Sequence, residues 1–229
     1  MEELVRPGPG TLNAFIEAWH GVRRPEYGIP PEQLAGRSLP GPLRAFYELA
    51  GRWPGLIGQN RLLQPAELEV VDGRVLFYVE NQGVWLWAAA REGDDPAVWS
   101  RENSPGAPWE PEGEPLSRFL LQLVLFEAMW AATEGASAAC LTAEELRLAV
   151  RPLRPLSLAP WRWPSYPSRF YAGEGVIALA GPNPSVWGTQ PPDRYSLFLS
   201  ARRTEALAYL APLVGDAWEY YSPRDRGHR

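Results

Sequence analysis

The chain has 229 residues, 45% hydrophobic and 21% charged, a balance that supports a substantial core and excludes global disorder. Its formal net charge of −5 is unevenly spread: residues 1–136 hold nineteen acids against eleven arginines, and residues 137–229 hold eight against eleven. An acidic first part repels phosphate, which disfavours nucleic acid as a partner. The densest acidic stretch, Glu92–Glu114, is either a solvated loop or a surface for a basic partner.

The single cysteine, Cys140, cannot form an intrachain disulfide, and the amino-terminal MEELVRPGPG lacks an apolar signal-peptide core. The longest apolar run, Phe119–Trp130, is too short to span a membrane and contains Gln122 and Glu127. The expectation is a soluble cytoplasmic protein. With 25 prolines and 21 glycines it should be rich in turns, and its 11 tryptophans suit both cores and interfaces.

Leu12, Phe15, Ile16 and Trp19 predict an amphipathic helix from near Thr11 to a stop at Gly21. Leu43, Phe46, Tyr47 and Ala50 predict a second, with Pro42 in its first turn and Gly51 just past its end. Glu69–Val71 and Val75–Val79 flank Asp72-Gly73, a two-residue hairpin signal. Val84–Ala88 follows across the Asn81-Gln82-Gly83 turn, and a short run at Val98-Trp99 follows Asp94-Asp95-Pro96, giving a meander. Residues 101–115 read as a loop holding Trp109, before a helix from near Ser117 that is apolar nearly all round and so belongs at the centre of the fold.

The last third reads differently. Thr142 and Glu145 predict a capping box, and Phe170–Ala172, Val176–Ala180 and Tyr195–Ser200 predict strands. The loop at residues 181–194 carries Trp187 and four prolines; a final helix starts near Thr204, and residues 224–229 read as a frayed basic tail. Gly135–Ala139 is a weak boundary. The expected organisation is an α+β domain over residues 1–136 and an extension over 137–229, either a separate domain or a continuation of the same sheet.

Chemistry is sparse. With only His20 and His228, neither a zinc site with Cys140 nor a Ser-His-Asp arrangement has its parts. No phosphate-binding glycine motif is present. Glu80 with Asp94 or Asp95 could serve a hydrolase if they faced one another across a cleft, whereas Asp94-Asp95-Pro96 also reads simply as a turn. Glu80-Asn81-Gln82 reads equally as a set of side chains satisfying turn backbone groups or as a polar patch beside Trp85 and Trp87.

Taken in order, LPGPLRAFYELAG, the Trp53–Gly55 turn, Asn60–Leu62, FYVENQGVWLW, DDPAVW, Trp109 and LSRFLLQLVLFEAMW resemble the SUKH superfamily over Leu39–Ala132. That superfamily includes fungal regulators of cell-wall assembly and bacterial immunity proteins. The resemblance implies a curved, largely antiparallel sheet with helices packed on one side, no catalytic activity, and direct binding of a cognate toxin, often a nuclease, encoded beside it. It places the family's characteristic positions on Asn60, Glu80, Gln82, Trp87, Asp95, Pro96 and Trp109, several of them structural. Ala97 departs from a frequent proline, and the long extension lies outside the core family. The expected partner-binding residues are Glu80, Asn81, Gln82, Trp85, Trp87, Asp94, Asp95, Trp99 and Trp109, with no metal, cofactor, membrane, nucleic acid or small-molecule substrate. An adaptor binding a host protein unrelated to toxins, and the hydrolase above, are the alternatives.

Overall fold

Two antiparallel sheets of six strands each organise the chain in a computed structural model that describes residues 2–184 and 193–225. The fold is α+β, as expected. Contacts divide it into an inserted unit, Leu12–Ala131, and a split unit, Met1–Thr11 with Ala132–Arg229. The last third builds its own sheet and does not extend the first, and the division falls five residues before the expected one because Glu134–Leu141 is a strand of the split unit. No helix among the described residues is long and apolar enough to cross a membrane.

A one-turn helix, α1 (Glu2–Val5), belongs to the split unit; α2 (Thr11–His20) opens the inserted one, burying Phe15 and Ile16 and ending at Gly21 with φ 102°. After α3 (Pro31–Leu34), α4 (Gly41–Ala50) buries Leu43, Phe46, Tyr47 and Ala50 along the predicted face. Gly51 caps α4 in a right-handed conformation (φ −61°), not the left-handed one its position suggested. Its lack of a side chain serves packing instead, since a Cβ there would stand 2.9 Å from the Ile29 side chain.

The inserted sheet comprises β1 (Arg61–Leu62), β2 (Glu69–Val71), β3 (Arg74–Val79), β4 (Trp85–Ala90), β5 (Ala97–Glu102) and β6 (Glu110–Pro115), in the order β1-β3-β4-β5-β6 with β2 also on β3. Asp72 (φ 50°) and Gly73 (φ 77°) make the expected hairpin, with Val71 paired to Arg74. Strand β6, EPEGEP, replaces the expected loop. Proline, glycine and glutamate discourage strands, but this one lies at the sheet edge, and Glu112 and Glu114 are buried, bonded to Trp87 and Arg118. Behind the sheet runs α5 (Leu116–Ala131), whose Phe119 meets Phe77 edge-on at 5.9 Å.

In the split unit, β7 (Glu134–Leu141), β8 (Arg154–Pro155), β9 (Arg169–Gly173), β10 (Val176–Pro182), β11 (Tyr195–Ala201) and β12 (Trp218–Tyr221) pair in the order β12-β7-β11-β10-β9-β8. Strand β7 occupies the stretch read as a weak boundary; Gly-Ala-Ser-Ala-Ala has no large side chain to signal a strand, yet it lets neighbours close in, with Leu199 O only 3.0 Å from where a Gly135 Cβ would lie. The capping box on α6 (Ala143–Val150) forms as read, and the expected last helix is a 3-10 helix over Thr204–Leu213 carrying Pro212. Residues 222–225 form α7 (Ser222–Asp225) where the tail was expected to begin; Trp187, Pro191, Pro192, His228 and the rest of the tail lie outside the described residues. Segment 2–11 joins this unit through Val5, whose carbonyl accepts from Ser157 N–H at 2.9 Å.

One buried acid holds the inserted unit together. Glu127, fully buried on α5, accepts from the backbone N–H groups of Gly58 (2.7 Å), Gln59 (2.7 Å) and Asn60 (3.0 Å) and from the Tyr78 hydroxyl. Asn60 donates in turn to Tyr78 Oη at 2.8 Å. Burial raises the Glu127 carboxyl above its ordinary 4.5, against the lowering effect of these donors, and burial beside Glu127 lifts Tyr78 far above 10.0. Because the folded state holds the Glu127 proton more tightly than the unfolded chain, this group's contribution to stability falls as pH rises from 4.5 through the raised value. Glu127→Gln sets an amide against these donors and should cost about 1–3 kcal/mol in urea denaturation. The gap from wild type should narrow as the measurement moves from pH 4.5 upward; a gap that widens would contradict this account.

Candidate functional site

Eight of the nine expected partner residues fall into three places, and the ninth, Trp87, is buried. At the β3–β4 turn, Glu80 is buried and spends its carboxylate on the turn itself: Oε2 accepts from Gln82 N–H at 2.8 Å and Val84 N–H at 3.3 Å, while its carbonyl accepts from Gly83 N–H at 2.7 Å. Asn60 Oδ1 accepts from Asn81 N–H (3.2 Å), and Asn103 Nδ2 donates to Gly83 O (2.8 Å). Of the two readings left open for this tetrad, turn satisfaction describes Glu80. Asn81, Gln82 and Val84 remain exposed on a braced turn, with Trp85 half-buried beside them.

Trp87 is a correction to the expected site. It is fully buried, tilted against Tyr78 with centroids 4.8 Å apart, and its indole N–H donates to Glu112 at 3.0 Å, so no partner can reach it. Trp85 shares its face by strand alternation but sits near the sheet end.

Asp94 and Asp95 lie at the other end of β4, roughly 20 Å from Glu80 along a six-residue strand. Asp94 is exposed. Asp95 is also exposed, yet Oδ1 accepts from Ser117 N–H at 2.8 Å and Oδ2 from Ser117 Oγ at 2.6 Å, while Leu116 N–H donates to Pro96 O. Its carboxylate therefore caps the start of α5 from a distant loop, where the helix dipole favours negative charge. The hydrolase arrangement of Glu80 with Asp94 or Asp95 is overturned by this geometry, because the acids never share a cleft and two of the three are engaged with backbone.

The third place was only half legible. Trp99 and Trp109 stand on the sheet face opposite α5, and two arginines stack on them: Arg74 lies 4.6 Å from the Trp99 ring and 5.5 Å from Trp109, and Arg101 lies 4.6 Å from Trp109. Asp72 closes the cluster, with Oδ2 accepting from Trp109 Nε1 at 2.9 Å and pairing with Arg101 at 3.2 Å. Beneath lie buried Leu63, Leu76, Leu86 and Ala88. Each cation–π contact contributes about 0.5–2 kcal/mol depending on desolvation. The tryptophans thus face cations, where the sequence suggested an acidic surround. The acidic stretch is also thinner than it reads, since Glu112 and Glu114 are buried. Arg74 and Arg101 were missed; the signal was their register, as Leu86 pairs with Arg101 and Ala88 with Trp99.

Little else offers chemistry. His20 Nε2 is buried without a partner on α2, and burial holds its pKa below 6.5. No three His, Cys, Asp or Glu side chains gather for a metal among the described residues. An open cleft of about 290 Å³ near Trp53 and Asn60 is lined by Arg52 and Arg61, which are engaged with Gln33 and Glu67. Comparison with protein-family models, curated proteins and solved structures found no match.

The two adjacent aspartates should separate cleanly. Asp95→Ala is expected to lower unfolding free energy by about 1 kcal/mol, as loss of a helix cap does. Asp94→Ala should stay within about 0.5 kcal/mol. Equal effects in denaturant titrations would remove Asp95 from its capping role.

Proposed function

We propose that this chain is a non-catalytic immunity protein of SUKH type, acting in the cytoplasm by binding and neutralising a cognate toxin encoded beside it, such as a nuclease. The observation that carries this reading is where the polar signature residues go. Asn60 braces the β3–β4 turn and bonds Tyr78, Glu80 closes that turn, Trp87 ties β4 to β6, and Asp95 caps α5. Residues that recur for the sake of a fold behave this way, whereas a catalytic set would converge on a cleft. The surface left for a partner is the braced turn, with Asn81, Gln82 and Trp85, and the tryptophan–arginine face, with Trp99 and Trp109; exposed Asp94 lies apart from both.

The test is co-expression with the product of each neighbouring gene, read as growth rescue and as a co-purifying complex. Rescue with a stable complex is the expected result, and Trp109→Ala should weaken that complex by about tenfold or more, as loss of an aromatic anchor does. No rescue, together with capture of one housekeeping protein, would overturn this reading in favour of an adaptor.

A further inference from the structure

The arginines on the tryptophan face are held in place but not neutralised one for one. The cluster contains two guanidiniums and one carboxylate, and Asp72 pairs with Arg101 alone. Arg74 donates only to the Asp72 backbone carbonyl, at 3.0 Å, while its plane is fixed by two indoles. Arg101, with its side chain 19% exposed, keeps its Nε–H buried without a hydrogen-bond partner and its Nη1 on Asp72. Stacking on indoles covers the faces of a guanidinium and leaves its N–H edges, the part that binds a carboxylate by a two-pronged fork. Ordering such long side chains ordinarily costs affinity; here folding has already ordered them.

We infer that the Arg74–Trp99–Trp109–Arg101 stack is a docking site for a single carboxylate side chain of the partner protein. This deepens the binding reading and rests on it for the partner's identity, but the site's charge chemistry stands apart from it. The polarity is opposite to that suggested by the overall charge of the chain. A nucleic-acid phosphate is the weaker candidate, because exposed Glu69, paired with Leu76, lies on the same sheet face as the arginines. A polyanionic backbone would have to run past that carboxylate, whereas a lone carboxylate need only reach the two arginines.

The experiment titrates the full chain with an otherwise uncharged peptide carrying one glutamate, its counterpart carrying one lysine, and single-stranded DNA, following the indole N–H signals of Trp99 and Trp109 by NMR. The glutamate peptide alone should move both signals. Arg74→Gln and Arg101→Gln should each weaken its binding by about tenfold or more, the scale of a charge-assisted fork. Asp72→Asn removes the competing internal carboxylate yet keeps an oxygen for the Trp109 indole, so it should tighten binding several-fold, a direction that misfolding cannot imitate. No shift with the glutamate peptide, an equal response to the lysine peptide, or weaker binding by Asp72→Asn would overturn the site, and a stronger response to DNA would reassign it to phosphate. Peptide binding without growth rescue would overturn the immunity reading and keep the site; rescue that survives Arg74→Gln undiminished, with no peptide binding, would do the reverse.

Discussion

A carboxylate with no solvent around it governs the inserted unit. Glu127 sits in the middle of an otherwise apolar helix, where an unpaired charge would cost several kcal/mol. Four donors from two other segments converge on it, so the loop at Gly58–Asn60 and strand β3 are referred to a single point on α5. Hydrophobic packing of Phe77 on Phe119 would tolerate some sliding of helix over sheet. Four hydrogen bonds to one carboxylate would not, because any slip strands a buried donor. Position along α5 is therefore set by polar geometry, and the surrounding apolar area supplies the driving force.

The same division of labour extends outward. Asn60 passes the constraint from Glu127 to the β3–β4 turn through Asn81, and Glu80 closes that turn from within. At the opposite end of the sheet, Asp95 fixes where α5 begins. Between them Trp87 locks β4 to the edge strand. The exposed parts of the turn are rigid as a result, and a rigid projection loses less freedom on binding than a loose one. The edge itself is guarded, since prolines and glutamates along β6 discourage another chain from adding a strand.

Periodicity and turn chemistry made much of this legible in advance. Helices α2, α4 and α5, the Asp72-Gly73 hairpin and the Thr142 capping box all follow from local residue order. What stayed hidden depended on partners distant in sequence. Strand β6 violates strand propensity and exists because β5 pairs with it; β7 is made of residues too small to carry a pattern. The site was blurred for a related reason. Glu80, Trp87 and Asp95 look like a binding surface when read as residue types, and only their hydrogen-bond partners show them occupied. Arg74 and Arg101 looked like ordinary surface charge until the register set them over indoles. The absence of lysine gave no help, although only a flat guanidinium could lie on Trp99 and Trp109 as these do.

The split unit also orders events in time. Its first segment, residues 2–11, leaves the ribosome before the inserted unit does, while Ser157, which receives Val5, comes some 150 residues later. At about 5–20 residues per second that interval is roughly 8–30 s. During it the whole of Leu12–Ala131 becomes available to fold, so Val5 waits as an unanchored leader on an assembled neighbour. Vectorial synthesis therefore favours completion of the Glu127-centred unit first. The junction of Val5 with Ser157 closes last, and it carries the entropy of joining segments from so far apart.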